Sequence, residues 1–478
     1  MTGAPRATSD PSFCKACLEK QRKIDALQEE NKRLKDKLRR QERTAREEPF
    51  GSSTPSAKRL VKSSSPPEAR ARRGGAVPGH DGHGRSTVLE DEADTVETLA
   101  APETCPDCGC ALEDWGVRDR TVHDCAPVRR TTRLIHIGEG RCPECGTTHR
   151  RRVPGVLPKS GCSNRLVAQT ATWSYAQGHT LGGVARQFEL RKGTLIGQMH
   201  ALADRFAPVD EALVAAYRLA PVKHADETGW RNDGCNGNTW GFFTPHISIF
   251  RCRDTRSGDV AEEVLGTPEM HVGTLHVDRY AGYNRFRGDI QYCYAHLKRD
   301  AEDVAKKNPD SPECAAFAEA FVPLLAEAMR LRSTCGDETS FLAAAASLRS
   351  RIEACVNRPA RHPSIQHIQS LFREKAHRMY HWTRGRHIPA DNNRAERELR
   401  PLVIARKISF GSQSDRGLRT REILMTVLNT LAKRTDDVVG ALTRTLDAIV
   451  DNPELDVADY LFGPAGIAPV PKTPPDSG

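Results

Sequence analysis

Nowhere in these 478 residues does an apolar run approach the roughly 18 residues that a bilayer span requires. The opening stretch, MTGAPRATSDPSF, lacks the apolar core of a secretory signal. Both absences lead to the expectation of a cytoplasmic protein with no membrane partner. An even set of cysteines is also lacking. There are 15, partly in CxxC pairs, and in a reducing compartment such pairs hold metal more often than they form disulfides. Charge of one sign is not scarce enough to decide anything: the formal net charge is +9 and the sequence pI near 8.9, a mild bias toward a polyanionic partner.

What is present divides the chain into segments. Residues 14–48 repeat apolar positions at steps of three and four, with Ile24, Asn31 and Leu38 in one series and Leu27 and Leu34 in the other. That is the pattern of a short coiled coil in which a buried Asn31 specifies a parallel homodimer. Lys20 and Gln41 interrupt the second series, so a solvated charged helix is the competing interpretation. Residues 49–100 are rich in Ser, Pro, Gly and Arg and read as a basic linker that cannot fold alone.

Residues 101–160 hold CPDCGC and RCPECG, placing Cys105 with Cys108 and Cys142 with Cys145. Each pair is followed by glycine, the small residue a turn needs in order to aim two thiolates at one ion. These four cysteines are therefore expected to bind a structural Zn²⁺ as a zinc ribbon. VRRTTRLIHIGEGRC supplies an alternating strand to join the knuckles. Cys14 and Cys17 form a further pair with no second pair to complete a site within the chain, though two such pairs would meet in a parallel dimer. Residues 161–210 read as two helical pieces separated at ELRKG, a helix-turn-helix-like DNA-binding region with TLIGQMHALADRF as the recognition helix and Pro208 at the approach to the next unit.

Residues 218–440 carry the acids. LAPVKHADETGW brings an extended run to Asp226 and Glu227, NTWGFFTPHISIFRC reads as a hairpin turning around Thr244 and Pro245, GDVAEEVLG is helical, and VGTLHVD ends a further strand at Asp278. Two strand-end carboxylates in such a unit suit a pair of hard cations. Cys293 and His296 share a CxxH spacing, as a structural pair or as a packed thiol beside a helix-borne imidazole. A helical stretch follows, and then DNNRAERELR. There Glu396 is either a third carboxylate, with Arg394, Arg397 and Arg400 facing DNA phosphates, or simply the i,i+4 partner of Arg400 in a helix capped by Asn392 or Asn393.

HADETGW, HVDRYAGYN, YCYAHLKRD and DNNRAERELRP, in that order, resemble the transposases of the insertion sequence 66 family. The likeness extends to the coiled coil, the PGHDGHGR linker and the CxxC pairs. YCYAHLKRD differs from the commoner tryptophan-containing form of its motif. The resemblance implies a multidomain α/β chain whose catalytic domain is ribonuclease H-like, with a helical insertion at about 305–380 and a C-terminal helix and tail at 441–478. It implies an Asp-Asp-Glu triad of Asp226, Asp278 and Glu396, holding Mg²⁺ or Mn²⁺ for two-metal phosphoryl transfer. It further implies action on the terminal repeats of the element that encodes the chain, strand cleavage and transfer into target DNA, and accessory proteins of the same element. A DNA-binding regulator without catalysis and a ribonuclease H-like nuclease that only hydrolyses are the alternatives.

Overall fold

The computed structural model describes residues 128–463 continuously and, before them, short stretches at 89–93, 95–99 and 109–111 and a few isolated positions. Outside the described residues lie Cys14, Cys17, Cys105, Cys108, most of the linker, the tail from 464, and the coiled coil apart from Lys23, Leu27 and Glu30, which are helical and exposed. From Ile137 the described chain belongs to one compact unit; Leu60–His136 forms a second.

The first unit starts with a small antiparallel hairpin, β1 (Glu139–Arg141) and β2 (Thr148–Arg150), paired Glu139 to Arg150. Of the strand expected across 128–142, only Glu139–Arg141 is realised. It extends as far as β2 pairs with it, since a strand without a partner leaves its backbone groups unbonded.

Three helices follow: α1 (Asn164–Tyr175), α2 (Leu181–Gln187) and α3 (Lys192–Leu219). Ser163 and Thr180 start the first two by accepting N–H bonds from Leu166 and Gly183, as helix-capping hydroxyls do. The break expected at ELRKG lies between α2 and α3. Pro208, expected at a boundary, instead sits inside α3 on its exposed side. The turns around it are held by buried Leu202, Phe206, Val209 and Leu213, so tertiary packing outweighs the hydrogen bond that a proline removes.

The central sheet has five strands in the order β5-β4-β3-β6-β7. Its members are β3 (Val222–Asn232), β4 (Cys235–Phe243), β5 (Ser248–Arg253), β6 (Thr274–Val277) and β7 (Asp289–Tyr292), with α4 (Asp259–Leu265) between β5 and β6. β3, β4 and β5 run antiparallel, whereas β6 and β7 are parallel to β3. β3 continues well past Asp226, which is therefore a mid-strand residue opposite Gly241. The turn after β3 is Asp233-Gly234, both at positive φ (47° and 75°), the geometry whose twist matches a two-residue hairpin.

α5 (Tyr294–Lys307) leads into a helical insertion of α6 (Pro312–Thr334), α7 (Glu338–Asn357) and α8 (Pro363–Glu374). The chain then returns through α9 (Asn393–Ser409), which lies on β3 and β4, and α10 (Asp415–Ala432), which lies on β5 and α3. α11 (Val438–Asp451) packs on α1, and α12 (Val457–Phe462) packs on α3. The described residues thus form a mixed α/β structure in which the helices of the expected DNA-binding region share one hydrophobic core with the sheet.

An ion pair joins those two parts. Arg251 on β5 donates two hydrogen bonds, of 3.0 and 2.8 Å, to Asp210 on α3, and both side chains are almost fully buried. Removing one partner strands the other charge in the core, so Asp210→Ala is expected to lower stability by about 3–5 kcal/mol in denaturant unfolding. Asp210→Leu combined with Arg251→Met should recover most of that loss. If the single change costs no more than a surface substitution, the pair does not hold α3 to the sheet.

Candidate active site

The parallel pairing of β3 with β6 sets His224 opposite His276. The two imidazoles stack, with ring centroids 4.8 Å apart. Two residues further along each chain come Asp226 and Asp278. Because side chains alternate along a strand, both follow their histidines onto the same face. The repeated tripeptides His224-Ala225-Asp226 and His276-Val277-Asp278 thus encode a histidine stack and, beside it, a carboxylate pair.

Glu396 enters in the first turn of α9, and its helix is pinned to β3 by Asn392. The Asn392 amide donates to the Ala225 carbonyl at 2.8 Å, and its oxygen accepts from His224 Nδ1 at 2.9 Å. Since an amide oxygen can only accept, His224 carries its proton on Nδ1. Burial, then its histidine neighbour, hold His224 well below the usual imidazole value. The Asn392 backbone N–H bonds to Cys293 Sγ at 3.1 Å. Asn392 therefore stands at the N-cap position without capping; its side chain bonds to the sheet, and Asp391 accepts the N–H of Asn393 instead.

Glu396 faces α5, where its Oε1 is 3.7 Å from both His296 Nε2 and an Arg299 nitrogen. That oxygen is buried and makes no hydrogen bond. Among the described residues no ion pair joins Glu396 to Arg400, so the local helix pair is not formed. Arg394 pairs with Glu398 at 3.3 Å, while Arg397 and Arg400 are exposed. Glu398 bonds Ser248 and Lys433, which ties α9 to the antiparallel half of the sheet. The CxxH residues have separate partners: the Cys293 thiol, pushed up to about 12 by burial, receives the Asn392 N–H, and His296 meets Glu396.

Like charge is concentrated here. Asp226 is raised well above the usual carboxylate value by burial first, then by Glu227, Asp278 and Glu396; the Glu227 N–H, 2.9 Å from Asp226 Oδ1, opposes this. Asp278 is raised to about 7 by burial and then Glu227, against the Tyr280 N–H at 2.8 Å and the guanidiniums of Arg256 and Arg279. Glu227 itself is buried, ion-paired to Arg256 and bonded by the Tyr283 hydroxyl at 2.9 Å. It is an internal counter-ion rather than a free acid.

Among the described residues, no group of three or more His, Cys, Asp or Glu side chains is already drawn together at metal-binding geometry. The donor set nonetheless fits a hard divalent cation. Two aspartates and a glutamate offer only oxygen, ionisation of the two aspartates is opposed by burial and neighbouring carboxylates, and one buried glutamate oxygen has no hydrogen-bond donor. At the hairpin only the second cysteine knuckle is described. There Gly146 takes φ +69°, and its N–H bonds the Cys142 carbonyl at 3.0 Å. Hydrogen bonds from Thr147 and then Cys142 lower the Cys145 thiol to about 7, toward the thiolate that a metal needs.

The sequence model of the transposase IS66 family matches residues 159–420, more than half of the chain, and takes in Asp226, Asp278 and Glu396. The protein belongs to the IS66 transposase family. No curated protein matches the chain. Among the described residues of this transposase, no helix is long and apolar enough to cross a membrane.

Sequence reasoning passed over the His224–His276 stack, the Asn392 clamp, Arg299, and the Glu227–Arg256–Tyr283 cluster. Only the repeated His-x-Asp tripeptide signalled any of them.

The raised Asp278 value has a consequence for the cation-free protein. Its folded value of about 7 lies above the ordinary 3.8, so the folded state keeps a proton that the unfolded chain releases. Stability therefore falls as pH rises from 3.8 to about 7 and stays low above it. Asp278→Asn, measured in chelator, should be more stable than the parent by a few kcal/mol at pH 8, with the difference shrinking to nothing as pH falls through that window. A pH-independent difference would remove the electrostatic account.

Proposed function

We propose that this IS66 family transposase binds the terminal repeats of its own element and catalyses metal-dependent strand cleavage and transfer with Asp226, Asp278 and Glu396 as its triad. The observation that carries the reading is a pair of buried aspartates on adjacent parallel strands, both disfavoured as isolated anions, with Glu396 in the first turn of α9 adding its charge to the field at Asp226. A ribonuclease H-like catalytic domain is supported by the strand order, three antiparallel strands followed by two parallel ones, and by the acid on the central strand.

In this mechanism Asp226, Asp278 and Glu396 hold Mg²⁺ or Mn²⁺, which supplies Lewis-acid stabilisation of charge on the phosphodiester. Asn392 ties the start of α9 to β3, which sets where Glu396 enters relative to Asp226. Arg397 and Arg400, exposed on α9, and Arg394 beside them contact phosphates and position the strand. No protein nucleophile is needed. The remaining assignments are a structural Zn²⁺ on Cys105, Cys108, Cys142 and Cys145, DNA contacts from the helices of 161–210 and the linker, homodimerisation through the coiled coil, and accessory proteins of the element. The cytoplasm is the compartment this activity requires.

The test pairs binding with chemistry on one element-end duplex. Asp226→Asn, Asp278→Asn and Glu396→Gln should bind in gel shifts like the parent but cleave only at background with Mg²⁺. Arg397→Ala should cut more weakly because it binds more weakly, with the log–log salt slope reduced by about one. Near-normal cleavage by Glu396→Gln would return that residue to a structural role. A parent that binds but never cleaves, with Mg²⁺ and the accessory proteins present, would favour the regulator.

For the zinc site, elemental analysis of protein purified without chelator should find about one zinc per chain, lost in Cys145→Ser as in Cys105→Ser. Zinc retained in Cys145→Ser would exclude the four-cysteine assignment.

A further inference from the structure

α9 ends on an unusual residue. Phe410 takes the left-handed conformation, φ 62° and ψ −2°, with its N–H bonded to the Arg406 carbonyl at 2.8 Å. Glycine ordinarily fills this helix-terminating position because it has no Cβ to strain. A bulky side chain there is a true outlier, and such strain collects at functional sites. A helix-ending aromatic can be explained by packing back on its own last turn, but Phe410 is 74% exposed. Burial in the fold therefore offers little to offset the strained backbone.

The backbone that carries the ring is fixed. A Cβ on Gly411 would fall 2.2 Å from the Arg231 carbonyl oxygen, so that chain passes directly against β3. Ser412 N–H bonds the same carbonyl at 2.8 Å, its own carbonyl accepts from Asp233 N–H at 2.9 Å, and Trp230 Nε1 bonds its hydroxyl at 3.2 Å. A strained, exposed aromatic is thus held rigidly at the end of the helix that carries Glu396.

The path between the two carries three cations and two exposed isoleucines. The exposed positions of α9 are Arg397, Arg400, Ile404, Lys407 and Ile408, which lie on one face at spacings of three and four and include no acid. From Glu396 to Phe410 is fourteen residues of helix, about 21 Å. At about 3.4 Å per phosphate along one strand, that is roughly six nucleotides.

We propose that Phe410 is a stacking platform for a nucleobase of the DNA strand that α9 leads to the carboxylate site. This rests on the reading of the protein as a DNA-processing transposase. Charge complementarity along the face selects DNA as the occupant, and an aromatic ring accepts any base because every base has a π-face.

The test uses the full chain in EDTA, so that no cleavage is required. Binding is measured to a labelled duplex and to the same duplex opened by a short run of unpaired thymines. Stacking on a free base should make the parent prefer the opened duplex by on the order of tenfold. Phe410→Ala and Phe410→Gly should lose that preference, and Phe410→Trp should keep it. Phe410→Gly should also raise the melting temperature, because glycine relieves the strained backbone; a ring needed only for folding would do the reverse. The proposal is overturned if the parent shows no preference, if Ala and Gly retain it, if Gly lowers the melting temperature, or if Phe410→Ala turns a dimer into monomer, which would place a second copy of the chain on the ring. A parent that shows the preference yet never cleaves with Mg²⁺ counts against the triad alone and still supports the stacking site.

Discussion

Like-charge repulsion in a buried place is the constraint on which the rest of this transposase turns. Asp226 and Asp278 come from adjacent strands into a region where burial and the neighbouring carboxylates, Glu227 foremost, oppose their ionisation, and Glu396 on a third element adds to the field at Asp226. Arg256 and Arg279 offset part of the cost at Asp278, and Glu396 lies 3.7 Å from an Arg299 nitrogen and from His296 Nε2. Arg256 and Arg279 do not remove that cost, since the raised Asp278 value already includes their presence. A site of this kind is stable only where the surrounding fold over-determines it, and it gains most from a cation.

Much of the architecture serves that over-determination. Asn392 ties α9 to β3 at the residue before Asp226, and the histidine stack fixes β6 beside β3 at the preceding register position. Gly241 leaves room for the Phe243 ring and for α9, because a Cβ there would come within 2.4 Å of Phe243 and 2.9 Å of Leu399. On the far side the Asp210–Arg251 pair locks α3 to β5, so helices that precede the sheet in sequence share its core. The helical insertion enters between α5 and α9, leaving both free to meet at Glu396.

The parts that could be read from the sequence are those in which one residue type has one physical use. Alternation and turn residues located the strands around Asp226 and Asp278, and the motifs in their order pointed to the family that residues 159–420 match. What escaped depended on long-range contacts. Pro208 looked like a boundary because proline breaks an isolated helix, but the core continues α3 through it. Asn392 looked like a cap because asparagine usually is one, and only the approach of β3, 168 positions earlier at His224, gives its amide other partners. Asp226 was expected at a strand end, whereas the Asp233-Gly234 turn, visible as a dipeptide, carries β3 further.

The central claim is that the three carboxylates form one divalent-cation site, and cation-linked stability tests it most directly. Thermal unfolding of the full chain should shift upward with Mn²⁺ or Mg²⁺, more steeply at pH 8 than at pH 6 because the site must first lose its protons. Replacing any one of the three with its amide should abolish the shift. A cation shift that persists undiminished in Glu396→Gln, or none in the parent at millimolar Mn²⁺ with DNA bound, would contradict the account.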